Sequence, residues 1–148
     1  MSRNNWSKLN HLQIGRYAEH LVKMEFTMYG YDVYSSEVDD KGIDFIIRKN
    51  ESQYYDIQVK SCTQSTNYIR FLKKSFSLRT NLIAAVVRLN EGKPPEIFLI
   101  PSLELINPDY SIFVERNYDK DPQWGINISE TNISQLKKFD FDEMIKTF

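Results

Sequence analysis

The sequence predicts an α/β domain in which a mixed β-sheet is flanked by helices. An amphipathic helical pattern near the amino terminus precedes three strand-like segments, and a continuous apolar run typical of a buried strand follows at 83–89. The chain has 148 residues, of which 41% are hydrophobic, so we expect one domain built around one core. That core is expected over about 7–101, with a C-terminal extension over about 102–148.

The first predicted element is a helix over 7–29. Its apolar residues recur on one stripe at helical spacing, and Gly30 stands where a helix often ends. Gly15 interrupts this helix at a cost of ~1 kcal/mol relative to alanine. Close packing of the helix against the sheet would explain such a glycine.

Three strands are predicted next, over 31–36, 43–48 and 53–61. The third is rich in tyrosine and β-branched residues, which favour strands. A short hairpin at 49–52 joins the second strand to the third. The segment 68–72 fits either a strand or the start of a short helix.

Two more strands are predicted over 83–89 and 97–100, because both are apolar runs bounded by turn residues. Farther along the chain, 124–128 is expected to be an edge strand. A short helix over 132–138 and a last helix near 140–147 complete the prediction.

The net charge of −1 conceals an uneven distribution along the chain. Residues 41–93 contain ten Lys or Arg and four Asp or Glu, whereas residues 94–148 contain five and ten. A basic excess of this kind suits a phosphate-binding surface, and solvated strands and loops are the alternative. Asp39 and Asp40, ahead of the second strand, are expected to be loop charges.

Several functional classes are not expected. Cys62 is the only cysteine, which rules out an internal disulfide, and the two histidines are too few for a histidine-rich metal site. The amino terminus lacks the apolar segment of a signal peptide, and no apolar run reaches the length of a membrane span. These features predict a cytoplasmic protein that does not contact a membrane.

Polar residues of two adjacent strands form the main candidate site. Side chains alternate along a strand, so Gln58 and Lys60 should share one face. The Asp44 carboxylate, the Gln58 amide oxygen and the Val59 carbonyl are oxygen ligands of the kind that hard cations prefer. Lys60 could orient a water and stabilise developing charge, and Glu19 could add a carboxylate from the helix. Turn chemistry for Asp44 and plain solvent exposure for Lys60 and Glu19 are the alternatives.

Three short motifs occur in order on helix, strand and strand: Gly15-x-x-x-Glu19, Gly42-x-Asp44 and Gln58-x-Lys60 followed by Ser61. This set resembles the PD-(D/E)XK nuclease superfamily, in particular its Holliday-junction-resolvase-like and small restriction-endonuclease-like branches. The resemblance implies a restriction-endonuclease-like αβββαβ core. It also implies an Mg²⁺- or Mn²⁺-dependent nuclease whose partner is nucleic acid, expected to be DNA.

The resemblance assigns roles residue by residue. Asp44 matches the metal-binding aspartate, Lys60 the catalytic lysine, and Glu19 the helix glutamate of some branches. Gln58 departs from the pattern, because it replaces an Asp or Glu and removes a charge that would attract the cation. A second hypothesis follows from Gln58: a catalytically degenerate module that keeps the fold and binds nucleic acid or protein. A purely structural domain is a third hypothesis.

Cations that follow the third strand are expected to contact phosphate groups, with a solvated face as the alternative. These residues are Arg70, Lys73, Lys74 and Arg79, to which Ser61 is added as a phosphate ligand. A homodimer is also expected, because cutting two strands usually requires two active sites.

Overall fold

The computed structural model describes residues 3–38 and 41–148, so Asp39 and Asp40 lie outside the described residues. In chain order the elements are α1 (His11–Met28), β1 (Asp32–Ser35), β2 (Phe45–Arg48), β3 (Tyr54–Thr63), β4 (Tyr68–Leu72), β5 (Leu82–Leu89), β6 (Glu96–Pro101), β7 (Phe113–Arg116), β8 (Gln123–Asn127) and α2 (Phe141–Met144). Short 3₁₀ turns lie at Trp6–Lys8, Ser102–Ile106, Ile133–Phe139 and Ile145–Thr147.

Helix α1 begins later than predicted because Asn10 caps it. The Asn10 side chain accepts a hydrogen bond from the Gln13 backbone, and the Gln13 side chain accepts one from the Asn10 backbone, each at 2.9 Å. Residues 6–8 instead form a separate 3₁₀ turn. At the other end Gly30 adopts a φ of +85° and donates to the carbonyl of Thr27, which ends the helix as the sequence predicts.

The main sheet has the strand order β1-β2-β3-β5-β6. Strand β3 pairs antiparallel with β2 and parallel with β5, while β1 and β6 pair antiparallel at the two edges. The predicted mixed sheet is therefore confirmed. Helices α1 and α2 cover one face of it, where Val22 and Phe26 of α1 and Phe141 of α2 join a buried apolar cluster.

Alternation along β3 divides its side chains between two cores. Ile57 and Val59 pack with α1, whereas Cys62 packs with the cluster on the opposite face. Gln58 and Lys60 share one face, as the sequence predicts, and because they have the parity of Cys62 that face is the one away from α1. Burial of Ile57 on one side and Cys62 on the other fixes the register of this strand.

A second sheet covers that opposite face and differs from the prediction. It has the order β4-β8-β7, with antiparallel pairing throughout. The prediction that 124–128 forms an edge strand is wrong, because strand β8 lies between β4 and β7. Strand β7 falls in a stretch that the sequence pattern leaves as a loop.

The connection from β3 to β5 also differs from the implied αβββαβ core. Where that core has its second helix, residues 64–81 contain strand β4 and turns. Ile69 and Phe71 of β4 are buried in the second apolar cluster, so they fill the position that a crossover helix would cover. Gly125 of β8 makes room for the Tyr68 ring, because a Cβ atom there would lie 2.4 Å from it.

Candidate active site

The candidate site lies where strands β2 and β3 separate. The last backbone hydrogen bond between these chain segments runs from the Asp44 N–H to the Ile57 carbonyl, at 2.9 Å. At the next position along β3, the N–H of Val59 donates to Oδ2 of Asp44 at 2.6 Å. The Asp44 carboxylate therefore takes the place of a backbone carbonyl as the acceptor for β3, at the point where the segment before β2 separates from β3.

Gly42 holds the segment before Asp44 in place. Its φ is +73°, a region that favours glycine, and a Cβ atom there would lie 2.8 Å from the Ser75 carbonyl oxygen. The loop ahead of β2 thus packs directly on the turn that follows β4. This contact aims Asp44 at Val59.

Val59 contributes its backbone to the same point. The N–H and C=O of one strand residue face the same neighbouring strand. Because the Val59 N–H faces Asp44, its carbonyl is directed to the side on which Asp44 lies. The Val59 carbonyl therefore faces the same side of β3 as the Asp44 carboxylate.

A groove of about 640 Å³ runs between α1 and this sheet edge. We call it the α1 groove; His11, Gly15, Arg16 and Glu19 line its helical side, and Asp44 and Val59 line the other side. The structure therefore brings Glu19 to the groove that contains Asp44. Within the groove Lys23 forms an ion pair with Glu19, with 3.1 Å between Nζ and Oε1.

Gln58 carries an unusual buried oxygen. Its Oε1 atom is inaccessible to solvent and has no hydrogen-bond partner among the described residues. Leaving a buried polar atom unpaired costs roughly 1–3 kcal/mol. The side chain that carries this oxygen leaves β3 on the face away from α1, whereas Glu19 and Asp44 line the groove on the α1 side.

Lys60 is half-buried, and its ammonium lies 5.8 Å from the centre of the Phe71 ring. Burial lowers the pKa of Lys60 from its ordinary value of 10.5, because a low-dielectric environment disfavours the charged form. The Asp44 carboxylate opposes this shift and the Arg70 guanidinium adds to it. Lys60 and Asp44 thus interact electrostatically, although Lys60 lies on β3 and Asp44 lies in the segment just before β2.

The residues present fit a hard divalent cation in chemical type. Carboxylates from Asp44 and Glu19, the buried Gln58 amide oxygen and the Val59 carbonyl are all oxygen donors, as Mg²⁺ and Mn²⁺ prefer. These donors carry little negative charge for a divalent cation. Within residues 3–38 and 41–148, no three His, Cys, Asp or Glu side chains cluster closely enough to hold a metal ion. An amide and a backbone carbonyl would have to complete the ligand set.

The expected phosphate-contacting cations are placed differently from one another. Arg70 is exposed on β4 and acts on Lys60 electrostatically. Lys73 is engaged by Glu115 and Asn117 and lies 4.1 Å from the centre of the Trp124 ring.

The other predicted phosphate ligands range from Lys74, which is exposed, to Arg79 and Ser61, which are half-buried. Arg79 forms an ion pair with the buried Asp56, with 2.5 Å between Nη2 and Oδ2. Lys74 lies 3.8 Å from Asp121. Ser61 is half-buried on β3. The sequence pattern does not reveal these partners, because they come from distant parts of the chain.

Two groups near the site were not assigned correctly from the sequence. Gly15 is predicted to allow close packing on the sheet, but apart from its own helix no atom comes within 4 Å of where its Cβ would be, so it faces open space in the α1 groove. Arg16, next to it, was not singled out at all. The helical pattern alone contained the signal for both, since 15, 16 and 19 lie on one side of a helix.

Comparisons with known proteins identify a solved structure with a similar fold. No family model matches the chain, and no curated protein matches it. Among solved structures, the chain is similar to Hjc, a Holliday junction resolvase from the archaeal hyperthermophile Archaeoglobus fulgidus. The two share 14% sequence identity and a TM-score of 0.57, over 90% of this chain and 97% of the resolvase.

This likeness concerns the path of the backbone. No helix in the described part of the chain is long and apolar enough to cross a membrane. The central mixed sheet, the helices that flank it and the similarity to Hjc together show that the chain has the restriction-endonuclease-like fold of a Holliday junction resolvase.

Proposed function

We propose that the protein is a divalent-metal-dependent nuclease that hydrolyses phosphodiester bonds in DNA. The observation that carries the proposal is the hydrogen bond from Val59 to Asp44. It holds a carboxylate against the backbone of the residue that lies between Gln58 and Lys60. The fold shared with Hjc, a Holliday junction resolvase, supports the same reading and makes branched DNA the first substrate to test.

In this proposal Asp44, Gln58, Glu19 and the Val59 carbonyl hold Mg²⁺ or Mn²⁺. When bound, the ion supplies Lewis-acid chemistry that activates water and neutralises phosphate charge. The Asp44–Val59 bond keeps the carboxylate and the carbonyl in a fixed relation, which lowers the ordering cost of binding.

Lys60 acts on the reacting groups. Its lowered pKa brings the amine closer to the operating pH, so it can orient the attacking water and stabilise the charge that develops on the phosphate. Phe71 packs beneath the ammonium and limits the positions it can adopt. Arg70, Lys73, Lys74, Arg79 and Ser61 remain the proposed phosphate contacts.

The test is cleavage of supercoiled plasmid, linear duplex, single-stranded DNA and a four-way junction, each with Mg²⁺ or Mn²⁺. We expect metal-dependent cutting by the wild type and a loss of roughly 10²–10⁴-fold in Lys60→Ala. Lys137→Ala, which removes an exposed lysine from a distant 3₁₀ turn, is the control and should cut normally. Equal rates for wild type and Lys60→Ala would overturn the assignment of Lys60. Sedimentation of the active sample tests the predicted homodimer.

A second candidate is a degenerate module that binds nucleic acid without cutting it. It is favoured by Gln58 in place of a carboxylate and by the lack of a cluster of three ligating His, Cys, Asp or Glu side chains in the described residues. Gln58→Glu distinguishes the two. Cleavage by this variant where the folded wild type cuts nothing would establish the degenerate module, whereas cleavage by the wild type that depends on Lys60 would exclude it.

A further inference from the structure

The α1 groove contains a glycine that neither packing nor backbone geometry explains. Gly15 lies in the second turn of α1 with ordinary helical backbone, unlike Gly30 and Gly42, whose φ values are positive. Apart from its chain neighbours and the adjacent helix backbone, no protein atom comes within 4 Å of the position of a Cβ on Gly15. Glycine is unfavourable inside a helix, and alanine would fit here and be a better helix former.

Gly15 opens towards the proposed active site. It lines the α1 groove together with Glu19, one helical turn onward, and with Asp44 and Val59 on the other side. A missing side chain leaves the helix backbone bare at one point of a groove that leads to the candidate metal ligands. Close approach of another backbone is one of the established uses of glycine.

The groove also holds a basic side chain next to Gly15. Arg16 is exposed beside Gly15 and has no carboxylate within 4.0 Å among the described residues. Lys23, in the same groove, is by contrast engaged by Glu19 at 3.1 Å and by the Ser35 hydroxyl at 3.1 Å. His11 lies one turn before Gly15 and adds a second nitrogen-bearing side chain on that wall.

We propose that a DNA strand crosses α1 at Gly15 on its way to Asp44, and that Arg16, with His11, holds one of its phosphates. The absent side chain at Gly15 lets the sugar-phosphate backbone approach the helix. Arg16 supplies the planar set of donors that suits phosphate oxygens. The choice of DNA rests on the proposed function, while the choice of the groove rests on Gly15 and Arg16.

Gly15→Ala provides a test in which stability and binding move in opposite directions. Alanine improves the helix, so we expect the Tm to rise by about 2–4 °C. The added methyl group enters the path of the strand, so we expect affinity for a fluorescein-labelled duplex, measured by anisotropy without divalent metal, to fall at least about 5-fold. His20→Ala, at an exposed α1 position outside the groove, should leave affinity unchanged.

Arg16→Gln tests the phosphate contact through salt dependence. Loss of one phosphate contact should weaken binding and reduce the slope of log Kd against log salt by about 1. Lys137→Gln, a distant exposed cation, should keep the wild-type slope. The proposal is overturned if Gly15→Ala binds as the wild type does, if Arg16→Gln keeps the full slope, or if the wild type binds no DNA.

Failure of this inference and failure of the proposed function give different results. If the wild type cuts DNA and both groove variants bind and cut normally, the groove assignment is wrong and the nuclease stands. If the wild type cuts nothing but both variants lose affinity as described, the nuclease is wrong and the groove assignment stands.

Discussion

The carboxylate of Asp44 accepts a hydrogen bond from the backbone N–H of Val59, with 2.6 Å between Oδ2 and N. Asp44 thereby terminates the pairing between β2 and β3 and also stands in the proposed metal site. The structural role needs an acceptor oxygen, whereas the metal role needs a negative charge. Substitutions can separate the two roles.

Asp44→Asn should lose metal binding while keeping most of the stability, because the amide oxygen can still accept from Val59. Asp44→Ala should lose both, with the free energy of unfolding lowered by roughly 1.5–3 kcal/mol, the value of a hydrogen bond to a charged group. Mn²⁺ titration calorimetry and urea unfolding measure the two effects. Full Mn²⁺ affinity in Asp44→Asn would show that this carboxylate is not a ligand.

Gln58→Met should raise the free energy of unfolding by roughly 1–3 kcal/mol, because it removes a buried oxygen that has no partner. The same change should weaken Mn²⁺ binding, since methionine offers no oxygen. Gln58→Glu is the matched variant and should bind Mn²⁺ more tightly than the wild type. A Gln58→Met protein less stable than the wild type would show that the amide oxygen is satisfied in solution.

Lys60→Met should be more stable than the wild type at neutral pH, by a margin that shrinks as the pH rises towards 10.5. The folded-state pKa of Lys60 is lowered, mainly by burial, so between that value and 10.5 the unfolded chain holds more protons. Wild-type stability from this group therefore increases with pH through the window, and the methionine variant lacks that increase. Urea unfolding at several pH values checks it, and a margin that grows with pH would contradict it.

Gly42→Ala should destabilise the protein more than Gly92→Ala does. Both glycines have positive φ values, +73° and +76°, so each substitution costs about 1–2 kcal/mol in backbone strain. A Cβ at Gly42 also meets the Ser75 carbonyl at 2.8 Å, whereas at Gly92 no atom lies within 4 Å. Thermal unfolding of the two variants isolates the contact with Ser75. Equal losses would mean that the loop shifts without cost.

The main sheet could be predicted from local pattern. Strands β3 and β5 lie within two residues of the segments expected at 53–61 and 83–89, because burial on both faces imposes a long apolar run on β5 and alternation on β3. The hairpin at 49–52 fixes which residues of β2 and β3 face each other. For this reason the proximity of Asp44 to Val59 could be anticipated.

The second sheet could not be predicted in the same way. Ile69 of β4 pairs with Ile126 of β8, so β4 depends on a partner far away in the sequence. Strand β7 has only four residues, two apolar and two charged, which is too short to show an alternating pattern of its own. The prediction that Gly15 packs closely on the sheet failed for a related reason. In the sequence, a helical glycine at a tight contact cannot be distinguished from one that faces an open groove.

Strand β4 has a consequence for the order in which the chain can fold during synthesis. Its ladder partner within the second sheet is β8, and the parallel pairing of β3 with β5 encloses β4 in the connection between them. A nascent chain that has emerged only as far as β6 carries β4 with its backbone groups unpaired. The second sheet can therefore cover the main sheet only after β8, which ends at Asn127, has been synthesised. Until then, Ile69 and Phe71 lack the part of their apolar cover that Ile126 of β8 supplies.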